Sequence, residues 1–496
     1  TGRGASSEFN GQCDRTRSTG ATVMSTTAHL DLAMKQRIHV VGVGGPGMSA
    51  IAQVLIEMGH RVSGSDIKES ETIERLRGIG VVINIGHDAG VVHHCDAVTA
   101  STAIPAKNVE LTEALNIGVP VLTRAQMLAA ICRQKLSVGV AGTHGKTTTS
   151  SMLMAVMREA QLHPSFIIGG DVRGIGSGAS WGSGKYLVVE ADESDGTHEQ
   201  LPLGAAIVTN IDVDHLDHFA TFDNVVESFR RFLDGIDGPK VVCADDESLV
   251  QLASTRGVTT YALHAPARFT AHNVKFLEGG STFDVRHHEV AGDAGVELGC
   301  VHLQLRGEHN VSNALAVIAL SALLGIDFDV CATALSEFSG VARRFDQRGT
   351  DDGVVFVDDY AHLPTEISAV LSSCTDESDT WTRVVAVFQP NRFNRMEHMS
   401  DAYADCFAHA DHVVITDIYS SGTAPIAGVT GKLVVDAIVR ANPQMSIAWK
   451  PTRAELIQHL AVELRSGDMC ISMGCGDIET LPDEVMAARR ALRGDA

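Results

Sequence analysis

The sequence predicts an α/β protein made of three consecutive units, each a mostly parallel sheet wound with helices. Three observations carry that prediction. Strand-like and helix-like runs alternate from Ile38 onward, the signature of parallel strands joined by crossover helices. Two glycine-rich turns, Gly42-Val43-Gly44-Gly45-Pro46-Gly47 and Gly142-Thr143-His144-Gly145-Lys146-Thr147, each follow a strand-like run and open a helix-like one. A length of 496 residues, at about 150 residues per domain, fits three domains.

The first unit reads as a strand over 38–43, a helix over 48–58 and a strand over 61–65 that ends at Asp66. Strand-like runs at 81–85 and 97–99 continue it. The second unit starts near Leu136, with strand-like runs at 136–140, 186–189, 205–208 and 240–243. Between about 261 and 305 short strand-like pieces are separated by Gly, Asp and His, which predicts an antiparallel appendage. Gly307-Glu308-His309-Asn310 then opens a helix over 311–324, with Ala and Leu at helical spacing. The third unit has strand-like runs at 354–357, 384–388, 412–415 and 469–473. The expected boundaries are 36–134, 135–340 and 341–496. Residues 1–35 are rich in Gly, Ser and Thr without periodicity, which predicts a disordered tail, and Met24 is a candidate natural start.

Composition narrows the function. The chain is 44% hydrophobic and 5% aromatic, as expected of Val/Ala/Ile-rich α/β layers. With 39 basic and 61 acidic residues, the net charge of -22 argues against a nucleic-acid or anionic-membrane partner. Anionic ligands must then be held by local donors and metal ions. Ten cysteines without a C-x-x-C pair read as reduced thiols in a cytoplasmic protein. No apolar run approaches the roughly 18 residues of a membrane span, and no signal-peptide core precedes the first unit.

The two turns differ in chemistry. The first fits G-x-G-x-x-G through Gly42, Gly44 and Gly47, with Gly45 between. Asp66 follows where a ribose-binding acid belongs. By itself this reads as NAD binding, but nothing nearby resembles a hydride-transfer site. The second is a short G-x-x-G-K-T form, because Val140 stands where a full Walker motif has Gly. Its backbone donors suit phosphates, Lys146 supplies positive charge, and the Thr147 hydroxyl can ligate Mg²⁺. Thr148 and Thr149 extend the hydroxyl-rich helix start. The next two strand-like runs end in Glu190-Ala191-Asp192-Glu193-Ser194-Asp195 and Asn210-Ile211-Asp212-Val213-Asp214-His215. A parallel sheet brings both endings to the Lys146 edge, with Glu190 and His215 as candidate metal contacts. In the third unit every strand-like run runs straight into polar residues: Asp358 to His362, Gln389 to Arg392, Asp417 to Ser420 and Gly474 to Asp477. Ligands bind beyond the carboxyl ends of parallel strands, so these four clusters should line one sheet edge.

On these motifs, together with Arg343-Arg344-Phe345-Asp346 and the block from Asp417 to Ile426, the chain resembles the Mur ligase family from Ile38 onward. The resemblance implies a three-domain architecture: a Rossmann-like UDP-sugar domain, a central P-loop ATPase domain and a C-terminal Rossmann-like domain for the amino acid. It implies ATP and Mg²⁺ as cofactors, and joining of L-alanine to the carboxylate of UDP-N-acetylmuramate in peptidoglycan precursor synthesis. The first turn (Gly42, Gly44, Gly45, Gly47) and Asp66 would bind the UDP-sugar. Gly142, Thr143, His144, Gly145, Lys146, Thr147, Thr148, Asn313, Arg344 and Asp359 would bind ATP; Thr147, Glu190 and His215 the metal. Lys146, His362, Arg392 and Arg395 would carry catalysis, with Tyr360 beside them. Residues 227–233 hold Arg230 and Arg231 but no Lys, so no carbamylated lysine is expected. Three features depart from the family pattern: Leu363 and Asn391 where His is usual, and the polar stretch 196–200. A monomer or weak homo-oligomer is expected. Competing readings are a sister ligase that adds a preformed peptide, an NAD-dependent oxidoreductase and a non-catalytic sugar-nucleotide sensor.

Overall fold

A computed structural model describes residues 30–214, 216–253, 257–277, 279–375 and 381–494. Three sheets follow one another along the chain. The first comprises β1 (Arg37–Val41), β2 (Arg61–Asp66), β3 (Val82–Ile85), β4 (Ala97–Ala100) and β5 (Val121–Thr123), in the order β3-β2-β1-β4-β5 and all parallel. Helix Pro46–Glu57 leaves the first glycine turn with Pro in its first turn, where the missing N–H costs nothing. Within the expected 1–35 tail, Leu32 is buried against the first core, and residues 1–29 lie outside the described residues.

The central sheet comprises β6 (Leu136–Ala141), β7 (Ser165–Val172), β8 (Ser177–Ser180), β9 (Tyr186–Glu190), β10 (Ala205–Val208), β11 (Lys240–Cys243), β12 (Thr259–Ala262), β13 (Phe269–Leu277), β14 (Gly280–His287) and β15 (Val296–Leu303). Its order is β15-β14-β13-β12-β11-β10-β6-β9-β7-β8. The expected appendage is therefore corrected. Strand β12 pairs parallel with β11 and β13 parallel with β12, so the antiparallel β13-β14-β15 meander extends the same sheet. Strands β6, β9 and β10 run parallel side by side, which brings the Gly142 turn, Glu190 and Asn210 to one edge.

The third sheet comprises β16 (Asp346–Asp351), β17 (Val354–Asp359), β18 (Arg383–Phe388), β19 (His412–Ile415), β20 (Ile447–Trp449) and β21 (Asp468–Met473), in the order β16-β17-β21-β18-β19-β20. Only β16 is antiparallel to its neighbour. The four polar clusters accordingly leave one edge together. Gly474 donates its N–H to the Asp359 carbonyl, Gln389 its Nε2 to Asp477, and Arg392 its N–H to the Tyr419 carbonyl.

How the cores are distributed decides which parts move together. One apolar cluster runs without a break through the first and central units, from Leu32 to Val341. Helix Pro46–Glu57 also docks on the β7–β8 hairpin: Gln53 donates to the Ala179 carbonyl at 2.7 Å and Trp181 N–H to Glu57 at 2.6 Å. The third sheet has separate apolar clusters on its two faces. The hydrogen bonds and ion pairs that tie it to the central unit are polar, which is the kind of interface that can open and close.

Candidate active site

The second glycine turn is shaped by two residues that only glycine fits. Gly142 has φ +128°, and a Cβ there would lie 2.1 Å from Thr209 Oγ1. Gly145 has φ +83°, and a Cβ would lie 2.7 Å from Asn313 Oδ1. Thr209 Oγ1 donates to the His144 carbonyl at 2.6 Å, and His144 N–H donates to Asn210 Oδ1 at 2.8 Å, so the strand after β9 braces the loop. Helix Lys146–Glu159 then begins, its N-terminus and dipole facing the loop.

Lys146 Nζ donates to the carbonyls of Gly142 (2.6 Å) and Thr143 (3.2 Å) and to both oxygens of Glu193 (2.9 and 3.0 Å). Burial opposes its charge, but Glu193, Asp192 and Glu190 outweigh that and raise its pKa to about 12. It is a buried ammonium kept charged by the carboxylates around it. Thr147 Oγ1 donates to Glu190 at 3.1 and 3.2 Å, and Glu190 also accepts Gly169 N–H at 2.8 Å. These hard oxygen donors fit Mg²⁺, which takes one or two protein ligands beside phosphate and water. Among the described residues no group of three His, Cys, Asp or Glu forms a metal cage. His215 lies outside the described residues.

Two cavities meet this edge. One of about 390 Å³ lies between the central and third units and is lined by His144, Gly145, Thr148, Asn313, Arg344 and Asp359, all expected at the ATP. Arg306, whose guanidinium lies over the Trp381 and Phe345 rings at 4.7 and 5.9 Å, adds a cationic wall. Asp359 accepts N–H groups from Phe345 and Ala361, both at 2.7 Å, yet burial raises its pKa to about 6. The other cavity, of about 560 Å³, is lined by Pro46 and Gly47 of the first turn, Arg124, and Glu190 and Asp192 of the central unit. Arg124 donates to Asp195 at 2.9 Å and to Thr197 at 3.3 Å, closing the joint between the two units.

The first turn is more occupied with itself than its motif suggests. Gly42 N–H goes to the Ser65 carbonyl, Gly45 N–H to the Gly42 carbonyl, and Gly44 N–H to Asp66 Oδ2 at 2.9 Å. Asp66 also accepts Ile67 N–H at 2.7 Å, so its carboxylate holds the loop. Of the expected UDP-sugar residues, Gly47 lines the cavity, while Gly42, Gly44, Gly45 and Asp66 are not among its lining residues.

On the third unit, the guanidiniums of Arg343 and Arg344 each lie 5.0 Å from the Tyr360 ring. His362 Nδ1 faces two acceptors, the Tyr360 carbonyl at 3.1 Å and Glu366 at 3.3 Å. Nδ1 therefore carries the proton and Nε2 the lone pair, and burial lowers the pKa so that the neutral ring persists. Arg395 donates to Asp214 Oδ1 at 2.7 Å and to Asn391 Oδ1 at 2.8 Å. The Asn391 departure thus supplies a partner for Arg395. Arg392 caps helix Phe393–Met399 with φ +61°, a strained conformation held by the Tyr419 carbonyl. Leu363 is buried at the start of helix Pro364–Ser372, and its backbone N–H donates to Glu366 at 3.1 Å. His198, in the divergent stretch, is buried against Phe229 and Phe232 and bonds Ser228 at 2.7 Å. Arg230 and Arg231 pair with Glu227, Asp234 and Glu199.

Sequence reasoning passed over Glu193, Asp212, Asp214, Thr365 and Glu366 as individual site residues. Asp212 accepts His144 Nε2 at 2.9 Å and Thr365 Oγ1 at 2.7 Å, while Glu366 accepts His144 Nδ1 at 3.0 Å. The acidic runs after β9 and β10 were the available signal. Two of these carboxylates meet their cations across the joint with the third unit: Asp214 with Arg395, and Glu366 with His144.

Comparison with known proteins agrees along the whole folded chain. Sequence models match in chain order: Mur ligase family, catalytic domain at 37–136; Mur ligase middle domain at 140–321; and Mur ligase, glutamate ligase domain at 343–476. The chain is 40% identical over 449 residues to UDP-N-acetylmuramate–L-alanine ligase of Pelotomaculum thermopropionicum, covering 90% of this chain and 95% of that one. It is 39% identical over 462 residues to the ligase of the same name from Geobacter sp., covering 92% and 98%. Among solved structures it is similar to the UDP-N-acetylmuramate-alanine ligase of Thermotoga maritima, with TM-score 0.77 and 28% identity, covering 92% of this chain and all of that one. A murein peptide ligase from Psychrobacter arcticus shares the fold, with TM-score 0.66 and 24% identity over 92% and 98% of the two chains. With three family domains matched in succession along its length, this chain belongs to the Mur ligase family.

Proposed function

We propose that this chain joins L-alanine to the carboxylate of UDP-N-acetylmuramate in an ATP-driven reaction, a cytoplasmic step in making peptidoglycan precursors. One observation carries the reading. Glu190 lines the cavity at the first glycine turn and also accepts the hydroxyl of Thr147 in the second. The two anion cradles therefore converge on one carboxylate, as a transfer from ATP to a sugar acid requires. Relatives 40% identical carry the name of that reaction.

The chemistry follows from the residues. A carboxylate oxygen of the sugar acid attacks the γ-phosphorus of ATP, the bond to the β-phosphate oxygen breaks, and ADP leaves an acyl phosphate. Lys146, released from Glu193, neutralises charge on the transferring group, where positioning and electrostatics contribute most of the rate. Thr147 and Glu190 would hold Mg²⁺, which when bound offsets repulsion between two anionic substrates. The alanine amine then attacks the acyl carbon, phosphate departs, and the amine proton passes to His362 Nε2, the free lone pair of a neutral ring. Arg392 and Arg395 form the cationic side of the amine site. Among the described residues no helix is long and apolar enough to cross a membrane. We place the protein as a monomer or weak homo-oligomer.

Phosphate release with ATP, Mg²⁺ and UDP-N-acetylmuramate tests the reading, with L-alanine, glycine, L-serine or a tripeptide added in turn. Release with L-alanine ahead of the others supports it. Preference for the tripeptide makes the chain a sister peptide-adding ligase, and phosphate release without amide product makes it a sensor.

A further inference from the structure

The phosphate-loop residue His144 reaches out of its own unit. Its Nε2 meets Asp212 at 2.9 Å and its Nδ1 meets Glu366 of the third unit at 3.0 Å. Both partners are carboxylates, so both ring nitrogens donate and the ring is an imidazolium. Burial opposes this charge, but the two acids outweigh it and raise the pKa to about 9. Thr365, next to Glu366, donates to the same Asp212 at 2.7 Å. Central and third units are thus clamped through one imidazolium and one carboxylate.

Glu366 has a second set of partners. Its Oε2 accepts the backbone N–H groups of His362 (2.9 Å) and Leu363 (3.1 Å) and lies 3.3 Å from His362 Nδ1. The carboxylate that holds the phosphate loop therefore also sets the position and tautomer of the ring facing the amine. At the other end, the loop backbone around His144 is held partly by Lys146, whose Nζ bonds the Gly142 and Thr143 carbonyls. When Lys146 turns to a phosphate, those carbonyls are released next to His144.

We infer that His144 and Glu366 are positioning residues forming a relay, through which occupancy of the phosphate loop sets the His362 segment for the amine step. The relay fits the distribution of cores: the third unit has its own apolar clusters, so polar contacts of this kind decide its closure. It deepens the ligation reading, and only the second arm of its test rests on that reading.

The first arm is hydrogen exchange on the full chain, with parent and Glu366→Gln each at saturating non-hydrolysable ATP analogue. The parent should slow exchange across residues 360–366 by about tenfold on binding, and Glu366→Gln by less than about threefold. Equal slowing in both proteins, or none in the parent, overturns the relay. The second arm separates the two half-reactions. Hydroxylamine traps the acyl phosphate without L-alanine, and amide formation is read with it. In Glu366→Gln the ratio of hydroxamate to amide rates should rise about fivefold, because only the amine step needs the relay. A proportional fall in both rates marks a merely structural residue and contradicts the inference. Glu366→Asp, which keeps the charge, should restore part of the amide rate. A parent that makes no amide with L-alanine removes the ligation reading, while the exchange arm still decides the relay.

Discussion

Arg395 of the third unit and Asp214 of the central unit form an ion pair at 2.7 Å whose side chains are 6% and 7% exposed. Two charges so deeply buried are stable only together, because each alone loses its hydration without compensation. Asp214→Ala should therefore cost about 3–5 kcal/mol, and replacing both residues with apolar ones of similar volume should recover most of it. Calorimetry of the full chain checks this. The single variant should separate an earlier transition of the third unit, and the double variant should merge the transitions again.

Gly145→Ala should weaken ATP binding sharply. The residue sits at φ +83°, and the added methyl would meet Asn313 Oδ1 at 2.7 Å. Backbone strain alone amounts to about 1–3 kcal/mol. A titration with an ATP analogue should show the loss, and adding Asn313→Ala should relieve the steric part but not the backbone part.

The clamp should depend on pH with a defined sign. His144 has its pKa raised from 6.5 to about 9, so its contribution is full below pH 6.5 and is lost as pH rises through about 9. Glu366 and Asp212 lie well below their usual values: burial is overcome at Glu366 by His362 and His144, and Asp212 is held mainly by its hydrogen bond from His144. Their contribution is full above about pH 4.5 and fades only well below it. Small-angle scattering of the nucleotide-bound protein should show constant dimensions from about pH 5 to 8 and expansion toward pH 10.

Glu110 in the first unit is fully buried, accepting Ser65 Oγ at 2.6 Å, His87 Nδ1 at 2.9 Å and Asp88 N–H at 3.2 Å. Burial would raise its pKa, but His39, Ser65 and His87 hold it at about 2. Because Ser65 precedes Asp66, which holds the first glycine turn, Glu110→Gln should destabilise the first unit. A cost of about 2–3 kcal/mol is expected for a charged hydrogen-bond acceptor lost inside the fold. Weaker UDP-sugar binding should accompany it, and urea titration with sugar-nucleotide calorimetry checks both.

Much of the fold was legible because apolar runs of four to six residues stood between helical patterns: β10 and β11 coincide with their expected spans. What stayed hidden lacked that contrast. Strand β16 is a polar edge with only Asp351 buried, β5 and β20 have three residues each, and the glycines of β7 and β8 break any alternation. His288, which stands between His287 and Glu289 in the sequence, is nonetheless buried, with bonds to Thr270 and Asp293. At the site, the phosphate loop and the four strand ends could be read because motif and sheet edge are local rules. Pairings such as Lys146 with Glu193, or His144 with Glu366, could not, since they span 47 and 222 residues, and the second also depends on how the third unit closes.

Lys146→Ala gives the most direct test of the central claim, that the Lys146 loop delivers the terminal phosphoryl group of ATP to a sugar acid held at the first turn. With ATP, Mg²⁺, UDP-N-acetylmuramate and L-alanine, the parent should release phosphate and the variant should not, while the variant still binds the sugar nucleotide by calorimetry. Turnover retained in Lys146→Ala, or parent phosphate release that ignores both UDP-N-acetylmuramate and L-alanine, would contradict the account.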